Sequence, residues 1–303
     1  MSPLRLLPLL ALGLTLSLTS GCSIKQLALN AVADELSGGT GGSFTSDPDL
    51  QFIGEALPFG LKLMEAINDG TPKHVGMKET LASGFTQYGI VFVEWPAEKQ
   101  KYDDYAAYQK GLARAKAFYL RANDYAMDGL DLKYPGFRSA ILENTDAVLA
   151  DTSAEDVPLL FWLSASWLAA ASTDLEDPEM FGLFPTAAKI MKHAYSLDPA
   201  WNNGMIPATL ISVEPNLPEP GGVERAEQRF QEALEISQGH SAGIYVSLAN
   251  AVARKAQDKE RYVELLHKAL AIPLDDYPDE RLGNDYAQQR ARFLLDNLDE
   301  MFL

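Results

Sequence analysis

The 303-residue chain has one cysteine, Cys22. A single thiol cannot close an internal disulfide, so no covalent staple holds this fold. Basic residues are also scarce: 25 lysines and arginines face 42 aspartates and glutamates, a net charge of −17. Nucleic-acid binders present a basic face, and polybasic lipid-binding segments need clustered Lys and Arg; this composition argues against both. Four histidines are present, His74, His193, His240 and His267, and none falls in an H-x-x-x-H or H-E-x-x-H pattern. Glu264-x-x-His267 has the spacing of half a di-iron site, but such sites draw the motif from two helices and the chain has it once. Asp103-Asp104 and Asp275-Asp276 lack the spacing of a calcium loop. There is no G-x-S-x-G, and the Gly-rich run from Ser37 to Ser43 lacks the strand and lysine of a phosphate-cradling loop. These gaps leave no catalytic residue, metal ligand set or cofactor to assign, and the chain reads as a non-enzyme. Sustained alternation of strong β formers is missing too. Gly89 to Val93 is the one strand-like run, and it sits inside a helical stripe.

What is present is helical periodicity. The chain is 47% hydrophobic and 22% charged, ordinary for a protein with a sizeable core. Between Val223 and Ile236 the apolar positions are Val223, Ala226, Phe230, Ala233 and Leu234, one helical stripe with mainly Glu, Gln and Arg between. The Ala226-x3-Phe230-x2-Ala233 pattern is the second-helix half of a tetratricopeptide-type repeat, in which small residues admit a partner helix and the aromatic fills the gap. Ala187-x3-Met191-x2-Ala194, followed by Pro199, repeats it upstream, and Leu266-x2-Ala269-Leu270 repeats it downstream. Ala194, Ala233 and Ala269 recur at intervals of 39 and 36 residues, close to the period of about 34 of such repeats. The first-helix halves are degenerate, with Pro207, Pro215, Pro218 and Pro220 between Ile206 and Gly222. The expected fold is all-α: stacked helical hairpins in a degenerate, solenoid-like array.

Residues 1–21 read as a signal peptide: Arg5, then an apolar run from Leu6 to Leu18, then Leu18-Thr-Ser-Gly-Cys22. The ending is similar to a bacterial lipobox, which makes Cys22 the lipidated first residue of the mature chain; Thr19 departs from the usual Leu. Acylation accounts for the lone thiol, and stable anchoring takes more than one acyl chain. Ser23 rather than Asp after Cys22 favours the outer membrane of a Gram-negative bacterium. Residues 22–47 then form a short N-terminal helix, with Ile24, Leu27, Ala28, Ala31 and Leu36 on one side, and a Gly-rich tether. Residues 48–303 form the helical domain. Its expected helices run from Asp49 to Asn68, Val75 to Glu94 (stopped by Trp95-Pro96), Tyr102 to Leu130, Phe137 to Leu149 and Val157 to Ala171, the last opened by a capping box at Thr152-Ser-Ala-Glu155. The repeat-like segments follow, and Leu282 to Phe302 closes the chain.

The aromatic residues are grouped. Phe85, Tyr88, Phe92 and Trp95 share a stripe, Tyr102, Tyr105 and Tyr108 precede Phe118, Tyr119 and Tyr125, and Trp162 and Trp167 lie on one helix. Such stripes either fill a core or line a groove. The groove reading takes Tyr88, Phe92, Trp95, Tyr119, Trp162 and Trp167 as ligand-binding, together with Asn202 and Asn203 in the turn Trp201-Asn-Asn-Gly204 at a hairpin end.

Several segments together resemble the T-component family of TRAP-transporter-associated lipoproteins. They are Cys22 to Gly39, Glu55-Ala-Leu-Pro-Phe-Gly-Leu-Lys62, Gly84-Phe-Thr-Gln-Tyr88, Tyr134-Pro-Gly-Phe137, Leu197-Asp-Pro199 and Arg281 to Leu295. Each is short, but they run in order across nearly the whole mature chain. The resemblance implies an all-helical fold with cryptic tetratricopeptide-like repeats. It also implies work in the periplasm beside the solute-binding protein of a TRAP-type transporter, handling of apolar or organic-acid ligands, and a homotrimer. The alternative from another class is an envelope scaffold with helical repeats and no small ligand.

Overall fold

The computed structural model describes residues 26–38, 44–174, 177–218 and 221–302. Among them there is no strand, and helices follow one another with short connections. An N-terminal helix, 26–37, precedes thirteen α-helices. These are α1 (Leu50–Gly70), α2 (Val75–Tyr88), α3 (Trp95–Glu98), α4 (Tyr105–Lys133), α5 (Phe137–Ala140), α6 (Thr145–Ala150) and α7 (Val157–Thr173). After them come α8 (Pro178–Leu197), α9 (Trp201–Val213), α10 (Val223–Ile236), α11 (Ala242–Leu248), α12 (Lys259–Leu270) and α13 (Arg281–Asp296).

Side-chain caps set many of the starts. The carboxylates of Asp49, Asp104 and Asp258 accept from the N–H three residues on, at 2.9–3.0 Å, and Asp177 does the same for α8. His74 caps α2 by accepting from Met77 N through Nδ1 at 3.0 Å.

The core forms in three stretches along the array. Leu61, Met77, Leu81, Phe85 and Tyr119 fill the first, between α1, α2 and α4. The second lies around α7, which is apolar on every side: Leu160, Leu163, Trp162 and Trp167 meet Ile190 and Met191 of α8 and Leu210 of α9. The third gathers α10 to α13 around Phe230, Tyr262, Leu266 and Ala291. The repeated small residues do what their spacing predicted: Ala187, Ala194, Ala226 and Ala269 are fully buried and Ala233 nearly so.

Four sequence expectations need correction. The helix from Val75 does not stop at Trp95-Pro96. It passes through a π-helical turn, Gly89–Glu94, in which Trp95 N–H reaches back to Ile90 O, and continues as α3 through Pro96. The stretch Phe137 to Leu149 is two short helices, α5 and α6. The capping box sits one residue later than expected, on Ser153 and Asp156, because Asp156 is fully buried and fixed by other partners. Thr152 instead bonds Leu149 O at 2.7 Å and His193 Nε2 at 2.8 Å. Finally, the apolar side read for the N-terminal helix is only partly the packed one: Leu36 packs beside the fully buried Ala33, whereas Leu27, Ala28 and Ala31 are exposed. Cys22, the signal segment and most of the Gly-rich run lie outside the described residues.

Candidate functional site

The π-helical turn re-aims one side chain. By inserting an extra residue into the helical register, Gly89–Glu94 turns Glu94 toward α4, where its Oε2 accepts a short hydrogen bond from the fully buried Tyr119 hydroxyl. Gly89 makes the approach feasible: a Cβ there would stand 2.5 Å from Tyr119 Cε1. One turn on, Glu98 of α3 pairs with Arg290 of α13, Nη2 to Oε2 at 3.1 Å and to Oε1 at 3.3 Å. The Arg290 guanidinium carbon lies 5.8 Å from the centre of the Tyr286 ring. Trp95, only 4% exposed, meets Tyr286 edge-on at 6.3 Å and Phe293 at 5.4 Å, and Phe293 also stacks with Tyr102 at 6.3 Å. A wall from the front of the chain and a wall from its last helix therefore face each other across two acids, one arginine and a set of rings.

The electrostatics of this cluster are unusual. Burial pushes the Glu94 carboxyl up to about 7, and the neighbouring Glu98 adds to the effect; the Tyr119 hydrogen bond and Arg290 oppose it. Glu94 is thus shared between neutral and ionised forms near neutral pH. The Tyr119 and Tyr286 hydroxyls are pushed well above the ordinary phenol range, chiefly by burial. Tyr108 is raised by burial and then by Glu98, Glu94, Tyr105 and Tyr102, which places all of these groups in one electrostatic neighbourhood. Trp95 Nε1 and Arg290 Nε are buried donors with no acceptor among the described residues. Glu94, Glu98, Tyr286 and Arg290 themselves are only half-buried. The arrangement can hydrogen-bond a polar end and pack an apolar body.

Two other acids at depth, Glu65 and Asp156, are built differently. Glu65 is held by Lys62 at 2.6 Å, the Tyr125 hydroxyl at 2.8 Å and Arg121, which together outweigh burial and keep its carboxyl below the usual range. Asp156 is likewise pushed up by burial and pulled down further by Lys133, by the Tyr134 hydroxyl at 2.6 Å and by Ser153 N–H at 2.8 Å. Both are satisfied ion-pair centres that hold helices together. Among the described residues Glu94 has no such cation within salt-bridge distance; Glu79 and Glu280, also pushed up by burial, share that lack but stand apart from the ring cluster.

The residues singled out from the sequence fall into separate places. Trp95 and Tyr119 belong to the cluster just described. Tyr88 and Phe92 pack on each other at 5.7 Å, with Tyr88 edge-on to Phe118 at 5.2 Å, inside the first core stretch. Trp162 and Trp167 are 6% exposed in the second stretch. Trp162 and Phe161 abut Trp201, whose ring centre is 4.9 Å from that of Phe161. Asn202 and Asn203 are exposed at the start of α9 in a left-handed turn, with φ of 47° and 55° followed by 79° at Gly204. Left-handed backbone costs about 1–2 kcal/mol for most residues, and Asn and Gly bear it best. Asn203 donates to Glu280 Oε1 at 2.5 Å. Glu94, Glu98, Tyr286 and Arg290 were not singled out: nothing in the spacing tells that residues nearly two hundred positions apart would meet.

Among the described residues no helix is long and apolar enough to cross a membrane, and no group of three or more His, Cys, Asp or Glu side chains is arranged to hold a metal. The molecule so described is an all-helical array with a polar cluster between its front and its last helix. Residues 46–302 match the family of the TRAP transporter T-component, and the chain belongs to that family. It is also similar to a Treponema pallidum (strain Nichols) chain carrying the name "Uncharacterized protein", 26% identical over 305 residues and covering 94% of both chains. Membership gives the chain an accessory role in TRAP-type transport and fits a membrane-associated or periplasmic place of work.

Proposed function

We propose that the protein is a periplasm-facing lipoprotein, anchored in the outer membrane through acylated Cys22, that docks the solute-binding protein of a TRAP transporter and holds an apolar organic acid between α3 and α13. The observation that carries the ligand reading is the Glu94–Glu98–Arg290 cluster beside Trp95 and Tyr286. A ligand carboxylate finds Arg290 and, in its protonated form, Glu94 as donors, while an apolar body finds the rings of Tyr286, Phe293 and Tyr102. Membership in the T-component family supports the docking partner, and a tetratricopeptide-like array offers hairpin ends for it. A homotrimer belongs to the same reading.

Thermal shifts of the full chain against fatty acids and aromatic carboxylates test the ligand. A ligand at a hundredfold excess over its dissociation constant stabilises by about 2.7 kcal/mol, and Arg290→Gln should lose that gain. No shift with any acid removes the ligand reading. One observation favours the second reading, a scaffold without a small ligand: Tyr88, Trp95, Tyr119, Trp162 and Trp167 are all buried as core. Cys22→Ala should release the protein from membranes; retention of that variant would remove the anchor.

A further inference from the structure

Helix α1 has two apolar faces and uses one. Ile53, Leu61 and Ile67 turn inward and are buried. Phe52, Phe59 and Leu63 form a separate line, 59%, 75% and 48% exposed. At 3.6 residues per turn, positions 52, 59 and 63 lie within about 40° of one another around the helix. Gly70 stands seven residues beyond Leu63 and continues that line. Leu29 of the N-terminal helix packs there, its Cδ1 3.1 Å from where a Cβ on Gly70 would stand. The N-terminal helix therefore docks at the C-terminal end of that line, at Gly70 and the start of α2.

That helix is docked by polar contacts as well: Gln26 Nε2 donates to Gly70 O at 3.0 Å, and His74 Nε2 meets Asp34 Oδ1 at 2.8 Å. Since His74 Nδ1 accepts from Met77 N, Nε2 carries the proton. With Ala33 buried, Leu27 and Val32 lie to either side of the docked face, 71% and 47% exposed. Two neighbouring elements thus leave large apolar side chains in the open, the Phe52–Phe59–Leu63 line and Leu27 at its Gly70 end, more than isolated surface residues account for.

Chain connectivity says what covers them. Cys22 stands four residues before Gln26, and four extended residues reach at most about 14 Å. An acyl group on Cys22 holds the start of the N-terminal helix at the bilayer interface, and the docked helix carries the α1 flank with it. The net charge of −17 gives no attraction to anionic headgroups, so contact here is apolar. We propose that the flank formed by helix 26–37 and the Phe52–Phe59–Leu63 line of α1 rests on the lipid bilayer. The acylated protein then lies flank-down instead of hanging on a free tether. This rests on the anchor described under the proposed function.

The test uses the acylated full chain in vesicles of neutral phosphatidylcholine and phosphatidylethanolamine. Acylation blocks the Cys22 sulfur, so Phe59→Cys provides a single free thiol for a polarity-sensitive fluorophore, and Val223→Cys on α10 provides the comparison. Both native side chains are exposed, so neither substitution opens a core. The expected result is that a spin label in the acyl chains removes most of the fluorescence at position 59 and little at position 223. Equal quenching at both positions, with the protein still floating with the vesicles, overturns the flank and leaves the anchor intact. A probe at 59 that is shielded from aqueous iodide but not reached by the lipid spin label overturns it in favour of a protein partner or a second copy. Failure to float removes the anchor, and the flank with it.

Discussion

Arg290 of α13 reaches Glu98 of α3 at 3.1 Å across 192 positions of sequence. The pair ties the last helix to the corner after the π-helical turn, with Trp95, Phe293 and Tyr102 packed around it. Removing one partner of such a pair strands the other. Arg290→Met should lower stability by about 1 kcal/mol, because the half-buried Glu98 left behind is partly rehydrated. The double variant Arg290→Met/Glu98→Gln should recover part of the loss, because the stranded charge goes with its partner. Chemical denaturation of the four proteins of this cycle measures the coupling. Additive losses would mean that the pair is solvated and does not hold the corner.

Glu94 makes a prediction about pH. Its carboxyl is raised in the folded protein to about 7, above the ordinary carboxyl value of an unfolded chain. Between those two values the folded state keeps a proton that the unfolded state has released. Its contribution to stability is therefore present at low pH and lost as pH rises toward 7. Glu94→Gln stays neutral throughout, so it should gain on the parent as pH rises through that window. Melting temperatures of both proteins from pH 4.5 to 8 decide this; parallel curves would mean that Glu94 titrates normally.

Asp156 and Glu65 carry the opposite sign. Their carboxyls are held low by their partners, so their contribution is present above the unfolded carboxyl range and is lost as pH falls below it. Tyr134→Phe, which deletes the 2.6 Å bond to buried Asp156, should cost about 1.5–3 kcal/mol at neutral pH, the range for a hydrogen bond to a charged group. The difference from the parent should shrink in acid. A constant difference from pH 7 to pH 3 would show that the bond does not favour the ionised form.

Two glycines in helices should answer alanine in opposite directions. Gly89→Ala places a methyl 2.5 Å from Tyr119, a ring that is fully buried and bonded to Glu94, and should destabilise by about 1–3 kcal/mol. Gly182→Ala on α8 meets nothing within 4 Å and should stabilise by about 0.5–1 kcal/mol. Equal responses in a urea titration would place Tyr119 elsewhere.

In the repeat stripe, Phe230 is 7% exposed against Tyr245 at 5.5 Å, and Phe230→Ala should cost about 3–5 kcal/mol. Glu224 is exposed on the same helix, and Glu224→Ala should stay within about 0.5 kcal/mol. Differential scanning calorimetry of the pair checks the assignment of the stripe.

The sequence by itself determined the class of fold. The spacing of Ala226, Phe230 and Ala233, and the recurrence of alanine at 194 and 269, is local information: each helix carries its own buried face in its period, and these five are buried as read, although Val223 at the head of the same stripe is exposed. The family was legible from short segments taken in order along the chain, and its match spans residues 46–302. Tertiary structure alone decided what depends on distant partners. The capping box moved to Asp156 because Lys133 and Tyr134 hold that carboxylate, and neither lies in the local pattern. The N-terminal helix chose the Ala33 face because Gly70 and His74 receive Leu29 and Asp34, leaving Leu27 and Val32 exposed. The candidate site combines a register shift at Gly89–Glu94 with the return of α13, so Glu94, Glu98, Tyr286 and Arg290 meet only after the array has folded. Periodicity reports which face of a helix is apolar; the partner that covers that face, and the company an acid such as Glu94 keeps, are set by contacts between residues far apart in the chain.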